Sequence, residues 1–350
     1  MDYKVYQPTY SLLDYIARNL AIGKTIIGAY SKIKNRRIER SVFGASVEIT
    51  DRCNAGCSYC YVYDQSWDQN KRIRGYLELD PAKHREIEDG VFETLNQLKK
   101  QGIVHVTLVG GEPLLFPKAI YRAGKMFPVV YVVSNGSVKF PVDYPRSVVI
   151  SVSIDGPPEY HNHARDPLGF FSKQSYRNLT GMSAYIVRNI NNSQRGAYVH
   201  ITLNRKSISL FPQAIDWFVK DIDKLRGVVV SGAATQTIED PFTLTPDDRQ
   251  VIKRMIEDAQ AKYGKKLFPF NQPSVNNFLF DSEHIIKNHR ECTVSRRVDS
   301  YDFSGRVVGK CVLRDTTNCE TCVCNLTGLM RSVSRLDPPT LSGLYSTCFG

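Results

Sequence analysis

From Ser46 onward the chain alternates short runs of β-branched residues with longer amphipathic stretches, and no other feature limits its fold so sharply. Strands separated by helix-length segments pair in parallel through crossover connections, because a tight hairpin leaves no room for the helix. The strands predicted from these runs are Ser46–Thr50, Val104–Val109, Val129–Ser134, Val148–Ile154, Tyr198–Leu203 and Gly227–Ser231. Helices fall between them: one from Pro81 with Ile87, Val91, Leu95 and Leu98 on a face, others near 116–126, 173–189 and 207–223, and a last one over 246–263. Asp80 and Thr245 each precede a proline, which fits an N-cap followed by proline at the first helical position. Six such units are too few to close an eight-stranded barrel. The expected class is therefore α/β, a partial (β/α)6 barrel of the TIM type, with chemistry gathered at the carboxyl ends of its strands.

This barrel occupies residues 43–264, between an N-terminal segment 1–42 and a C-terminal extension 265–350. Leu12, Leu13, Ile16, Leu20, Ile26, Ile27, Tyr30 and Ile33 recur at helical spacing in the lead-in, interrupted near Gly23, with Arg18, Lys24 and Lys32 off that stripe. Lys and Arg exceed Asp and Glu by 46 − 35 = 11, with local density at Lys32, Lys34, Arg36, Arg37 and Arg40. Such a surface suits either a solvated loop or an anionic partner. No run reaches the roughly 18 apolar residues of a spanning helix, and the start lacks the order of a secretory signal. A cytoplasmic protein, with peripheral contact to the inner face of a membrane, is the expectation.

Nine cysteines in such a protein point to metal ligation, because cytosolic thiols stay reduced. Cys53, Cys57 and Cys60 stand together; Cys292, Cys311, Cys319, Cys322, Cys324 and Cys348 crowd the other end. Two metal-binding regions follow from that split. The first forms C-x3-C-x2-C directly after the first predicted strand. Three thiolates on one loop can hold three irons of a cuboidal cluster and leave the fourth open to an amino acid's amine and carboxylate. A zinc knuckle with a distant fourth ligand and a redox pair of Cys57 with Cys60 are the competing readings. Gly56 lets the loop wrap, and Tyr59 stands just before the last cysteine.

The triplet with that aromatic, followed by Gly110-Gly111-Glu112-Pro113 after the second strand, resembles the radical S-adenosylmethionine (radical SAM) superfamily. The resemblance implies a [4Fe–4S] cluster on Cys53, Cys57 and Cys60 that binds S-adenosylmethionine and cleaves it to a 5′-deoxyadenosyl radical, with electrons from a ferredoxin or flavodoxin. It further implies cofactor contacts from Tyr59, Gly110, Gly111 and Glu112, the last suited to the methionine ammonium. Ser134, Ser153, Asp155 and Asn204, at the ends of the next strands, would meet the ribose and carboxylate. No residue stands out as the group that quenches the product radical.

The tail, Cys319-x2-Cys322-x-Cys324 with Cys292 and Cys311 upstream, is similar to the auxiliary-cluster extensions called SPASM and twitch, although their usual spacing is C-x2-C-x5-C-x3-C. A second [4Fe–4S] cluster, a structural zinc and unligated cysteines all fit it. The order of parts resembles lipid-modifying members such as adenosylhopane synthase and calditol synthase. That implies a transferase or oxidoreductase of lipid biosynthesis, acting on an isoprenoid or its head group at an anionic membrane surface. A peptide maturase of the SPASM type is the alternative, and a non-catalytic iron–sulfur or zinc protein is a further one. Nucleic acid is not an expected partner, since no recognition module accompanies the charge.

Overall fold

The computed structural model describes residues 3–8, 44–62, 80–269, 286–309, 311–315, 317–334 and 337–349. The amphipathic stripe of residues 12–33 and the basic run 32–40 lie outside them. The strands are β1 (Gly44–Thr50), β2 (His105–Gly110), β3 (Val129–Ser134), β4 (Val148–Ser153), a two-residue pair β5 (Ser175–Tyr176) and β6 (Leu179–Thr180), β7 (Ala197–Leu203), β8 (Leu225–Gly232) and β9 (Val298–Asp302). The helices are α1 (Pro81–Lys100), α2 (Pro117–Met126), α3 (Pro158–Arg165), α4 (Gly181–Asn192), α5 (Phe211–Asp221), α6 (Pro246–Tyr263), α7 (Thr293–Arg297), α8 (Asn325–Ser334) and α9 (Pro338–Phe349).

Seven strands form one sheet in the order β8-β7-β4-β3-β2-β1-β9, and every adjacent pair is parallel. Spatial order follows chain order from β1 to β8, as right-handed crossovers produce, and the sheet does not close. The caps act as the sequence suggests. Asp80 accepts from the Lys83 amide at 2.8 Å, and Thr245 forms a reciprocal box with Asp248.

Two predictions are corrected. Residues 173–189 do not form one helix: Arg177 sits at φ 55, turning the chain into the β5–β6 hairpin, and α4 begins only at Gly181. The seventh strand, Val298–Asp302, was not foreseen, because its acidic, polar sequence lacks a β-branched run. It pairs with β1, Gly44 opposite Val298 and Glu48 opposite Asp302.

Alternation along the strands separates two faces. Ala45, Val47 and Ile49 of β1 belong to the same buried cluster as Ile87, Val91 and Leu95 of α1, each Val, Ile or Leu side chain contributing about 1.5–3 kcal/mol by its burial. The intervening Ser46, Glu48 and Thr50 are polar yet buried, as are Ser151 and Ser153 of β4. Outside, the sheet packs on helices; inside, it presents a polar concave face.

Among the described residues no helix is long and apolar enough to cross a membrane.

Candidate active site

The cysteine triplet begins three residues past β1 and is held from two sides by backbone hydrogen bonds. From the β2 side, the Gly111 amide donates to the Thr50 carbonyl at 2.7 Å and the Glu112 amide to the Arg52 carbonyl at 2.8 Å. This contact explains the glycine pair. Gly110 has φ +120, and a Cβ on Gly111 would lie 1.9 Å from the Arg52 carbonyl oxygen. The close approach the glycines permit is thus to the cysteine loop's own backbone. From the β4 side, the end of α3 docks on the loop, its Arg165 and Ala164 carbonyls accepting from Gly56 at 2.9 Å and Ser58 at 3.4 Å.

Donors converge on two of the three sulfurs. Cys53 Sγ, buried, accepts from the Ala55 amide at 3.4 Å and lies 3.6 Å from Asn135 Nδ2. Cys57 Sγ lies 3.6 Å from Arg165 Nη1. Cys60 is half-buried at the far side of the loop. N–H groups and a guanidinium directed at sulfur suit thiolates, the ligand form of an iron–sulfur cluster. The donor set therefore fits such a group. Among the described residues no three His, Cys, Asp or Glu side chains converge as a single metal ion requires. A cuboidal cluster instead takes each thiolate at a separate iron.

The other predicted residues are drawn to the same strand ends, and most are engaged internally. Glu112 is fully buried, with Oε1 accepting from the Leu114 amide at 2.9 Å and Ser134 Oγ at 2.8 Å, and Oε2 from the Asn135 amide at 2.7 Å. Burial pushes its carboxyl up to about 7 against the pull of those donors. Asp155, also fully buried, is gripped by Arg165 through two hydrogen bonds and accepts from the Thr202 amide at 3.2 Å. Although burial opposes it, the Arg165 guanidinium brings this carboxyl below its usual range. Asn204 donates to Tyr160 Oη at 3.2 Å, and Ser153 is buried at the end of β4. Tyr59 meets Phe242, from the loop after β8, in a tilted contact with ring centroids 5.4 Å apart, and Lys206 Nζ lies 4.6 Å from the Phe242 ring centroid. Burial, then the Asp155 charge, pushes the Tyr59 hydroxyl well above the phenol range.

Sequence reasoning missed Arg165, Asn135, Tyr160 and Phe242. Arg165 lies on a helix the periodicity did not register, although its place ten residues after Asp155, across Pro157-Pro158, offered a signal.

The sequence pattern of the Radical SAM superfamily matches residues 47–169, a span that takes in the cysteine loop, the glycine pair, Glu112, Ser134, Asp155 and Arg165. Residues 47–169 carry a radical SAM domain. Members of that superfamily use a [4Fe–4S] cluster and S-adenosylmethionine, and the matched span contains the three-cysteine loop just described. The chain is similar to the sporulation killing factor maturation protein SkfB of Bacillus subtilis (strain 168), 21% identical over 237 residues, 63% of this chain and 50% of that protein. The match thus spans about half the length of this curated relative. The fold is similar to that of Streptococcus suis SuiB bound to the precursor peptide SuiA, with TM-score 0.51 and 13% identity over 90% of this chain and 69% of that one. It is also similar to anSMEcpe with bound AdoMet and Cp18Cys peptide, with TM-score 0.50 and 12% identity over 88% of each chain.

The tail brings Cys292, Cys311, Cys319, Cys322 and Cys324 into mutual electrostatic range. Burial pushes the Cys311 thiol up to about 12, Cys324 up to about 11 and Cys322 well above its usual value, and neighbouring thiols add to each effect. The segment is fastened to β8 at one edge of the sheet and to β1, the strand next to the other edge. The Gly232 amide at the end of β8 donates to the Val323 carbonyl at 2.8 Å, and Arg314 bonds Glu48 of β1 at 2.5 Å. The Cys348 side chain lies outside the described residues.

Proposed function

We propose that this chain is a radical SAM enzyme that modifies a peptide, with its radical-generating cluster on Cys53, Cys57 and Cys60 and an auxiliary iron–sulfur cluster in the cysteine-rich tail. The observation that carries the radical chemistry is the three-thiol loop at a strand's carboxyl end, with N–H donors aimed at Cys53 and Cys57 and an open barrel mouth beside it. When bound, the cluster and S-adenosylmethionine supply the one-electron cleavage that yields a 5′-deoxyadenosyl radical. The protein's own work is to hold and shield. Glu112, accepting three internal donors, ties the β2 and β3 loops together beneath the cluster loop. Tyr59 and Phe242 pack ring against ring beside the cysteine loop, and Ser153 and Asn204 stand buried at the ends of β4 and β7 on the same side of the sheet. Excluding water keeps a reactive radical from side reactions.

The peptide reading is supported by the names of its relatives: a maturation protein, an enzyme seen with a precursor peptide and one seen with a Cys-containing peptide. The lipid reading leaned on the basic amphipathic lead-in, which lies outside the described residues. For the tail, five half-buried thiols, of which no three converge on one point among the described residues, suit a cluster, which spreads its ligands, better than tetrahedral zinc.

Two measurements test the proposal. Anaerobically reconstituted protein should convert S-adenosylmethionine to 5′-deoxyadenosine, and Cys57→Ala should abolish the conversion; cleavage that survives in the variant refutes the assignment. Mass spectrometry of peptide and lipid extracts from a deletion strain and its parent should show a mass change in one peptide, whereas loss of a lipid class would overturn the peptide reading.

A further inference from the structure

Arg165 is built into the site with unusual constraint for a residue that sequence reasoning did not flag. Its guanidinium grips the fully buried Asp155 through Nε and Nη2, and its remaining Nη1 points at Cys57 Sγ, 3.6 Å away. Its own carbonyl accepts from the Gly56 amide at 2.9 Å, so backbone and side chain both register on the cysteine loop. Asp155 is fixed in turn by the Thr202 amide of β7.

Asn135 makes the equivalent contact at Cys53. Its Oδ1 accepts from the Ser137 amide at 2.8 Å and from Ser137 Oγ, which fixes the amide's orientation. The Nδ2 group is thereby directed at Asn54 Oδ1, 2.9 Å away, and Cys53 Sγ, 3.6 Å away. The turn after β3 and the end of helix α3 thus deliver one donor each to two different cluster thiolates.

Reduction of a thiolate-bound cluster adds one electron and no proton, and the added negative charge is shared with the sulfurs. A cation and N–H donors at those sulfurs stabilise the reduced form more than the oxidised form, and in a buried site the effect is weakly screened. We propose that Arg165 and Asn135 are positioning residues that raise the reduction potential of the cluster held by Cys53, Cys57 and Cys60, so that an external low-potential one-electron donor can reduce it. This inference rests on the radical SAM reading of that loop. It assigns the Asp155–Arg165 pair a purpose beyond structure: Asp155 holds the guanidinium in place, and Arg165 acts on the sulfur.

The test is a redox titration of the full-length, anaerobically reconstituted protein without S-adenosylmethionine, followed by electron paramagnetic resonance of the reduced cluster. Iron and sulfide content are measured in parallel. The double variant Asp155→Asn/Arg165→Gln replaces the ion pair with a neutral pair of similar shape and should be at least tenfold harder to reduce, about 59 mV for a one-electron couple. Arg165→Lys, which keeps the charge, should stay within threefold of wild type, and Asn135→Ala should move at least threefold in the same direction as the double variant. Loaded clusters whose potentials all stay within threefold of wild type overturn the proposal. If the double variant fails to load iron, Asn135→Ala alone decides by the same criterion. A wild-type protein that assembles no cluster at this loop refutes instead the radical SAM assignment on which the inference stands.

Discussion

Gly111→Ala isolates the contact that seats the cysteine loop. The new Cβ would fall 1.9 Å from the Arg52 carbonyl oxygen and 2.4 Å from its carbon, far inside any tolerated separation, and both are backbone atoms that cannot rotate away. The two loops must part by more than an ångström, which breaks the Gly111–Thr50 and Glu112–Arg52 hydrogen bonds of 2.7 and 2.8 Å. Each buried amide left without a partner costs about 1–3 kcal/mol, so the substitution should destabilise the chain by about 2–6 kcal/mol. Because Arg52 immediately precedes Cys53, the displacement also reaches the first thiol. Gly44→Ala is the control: its nearest neighbour would be 3.5 Å away and its φ is ordinary, so it should be neutral or slightly stabilising. Urea unfolding gives the stability change and iron content after anaerobic reconstitution gives the effect on loading. A Gly111→Ala protein within about 1 kcal/mol of wild type, with full iron content, would refute the view that this packing positions the loop.

Burial lowers His105 and His200 to about 4 and His161 to about 3, so all three are neutral in the folded chain but gain protons on unfolding below about 6.5. Their contribution is present above pH 6.5 and is lost as pH falls. By pH 5.5 the loss is about 1.4 kcal/mol for each, and Glu112, whose raised value favours the folded state at lower pH, offsets about 1.5 kcal/mol of the total. Urea midpoints should therefore fall between pH 7 and 5.5; a flat or rising profile would contradict the buried neutral assignment. Wild-type protein should hold about eight irons per chain and Cys322→Ala about four, whereas about four in the wild type would remove the auxiliary cluster. Thr245→Ala removes the capping box of α6 and should cost about 1 kcal/mol in urea unfolding, with no change in iron content.

Six of the seven sheet strands were legible because each carries β-branched residues between turn residues and is separated from the next by a helix-length stretch. The seventh, Val-Asp-Ser-Tyr-Asp, is an edge strand, and only its pairing with β1 makes it a strand at all. The cysteine loop and its supporting glycines were also legible, since few residue types do what thiols and glycines do at fixed spacing. What those glycines approach was not, because the partner is backbone from another loop. Glu112 shows the same limit. Its type suggests a receptor for a cation, while its three internal donors are visible only once β3 lies beside β2. Arg165 escaped because its importance comes from Asp155 and Cys57 meeting it in space, at separations of 10 and 108 residues.

The pairing of β9 with β1 bears on how the chain is made. The strand leading into the first cysteine triplet emerges early in synthesis, yet its outer edge finds its partner only after residue 298 has followed, some 250 residues later. Until then β1 offers a row of unpaired backbone groups to any other strand nearby. A nascent or truncated chain ending before β9 should therefore be prone to edge-to-edge association even with its apolar core intact, and any factor that delivers iron to the loop early must work on a sheet whose border is still open.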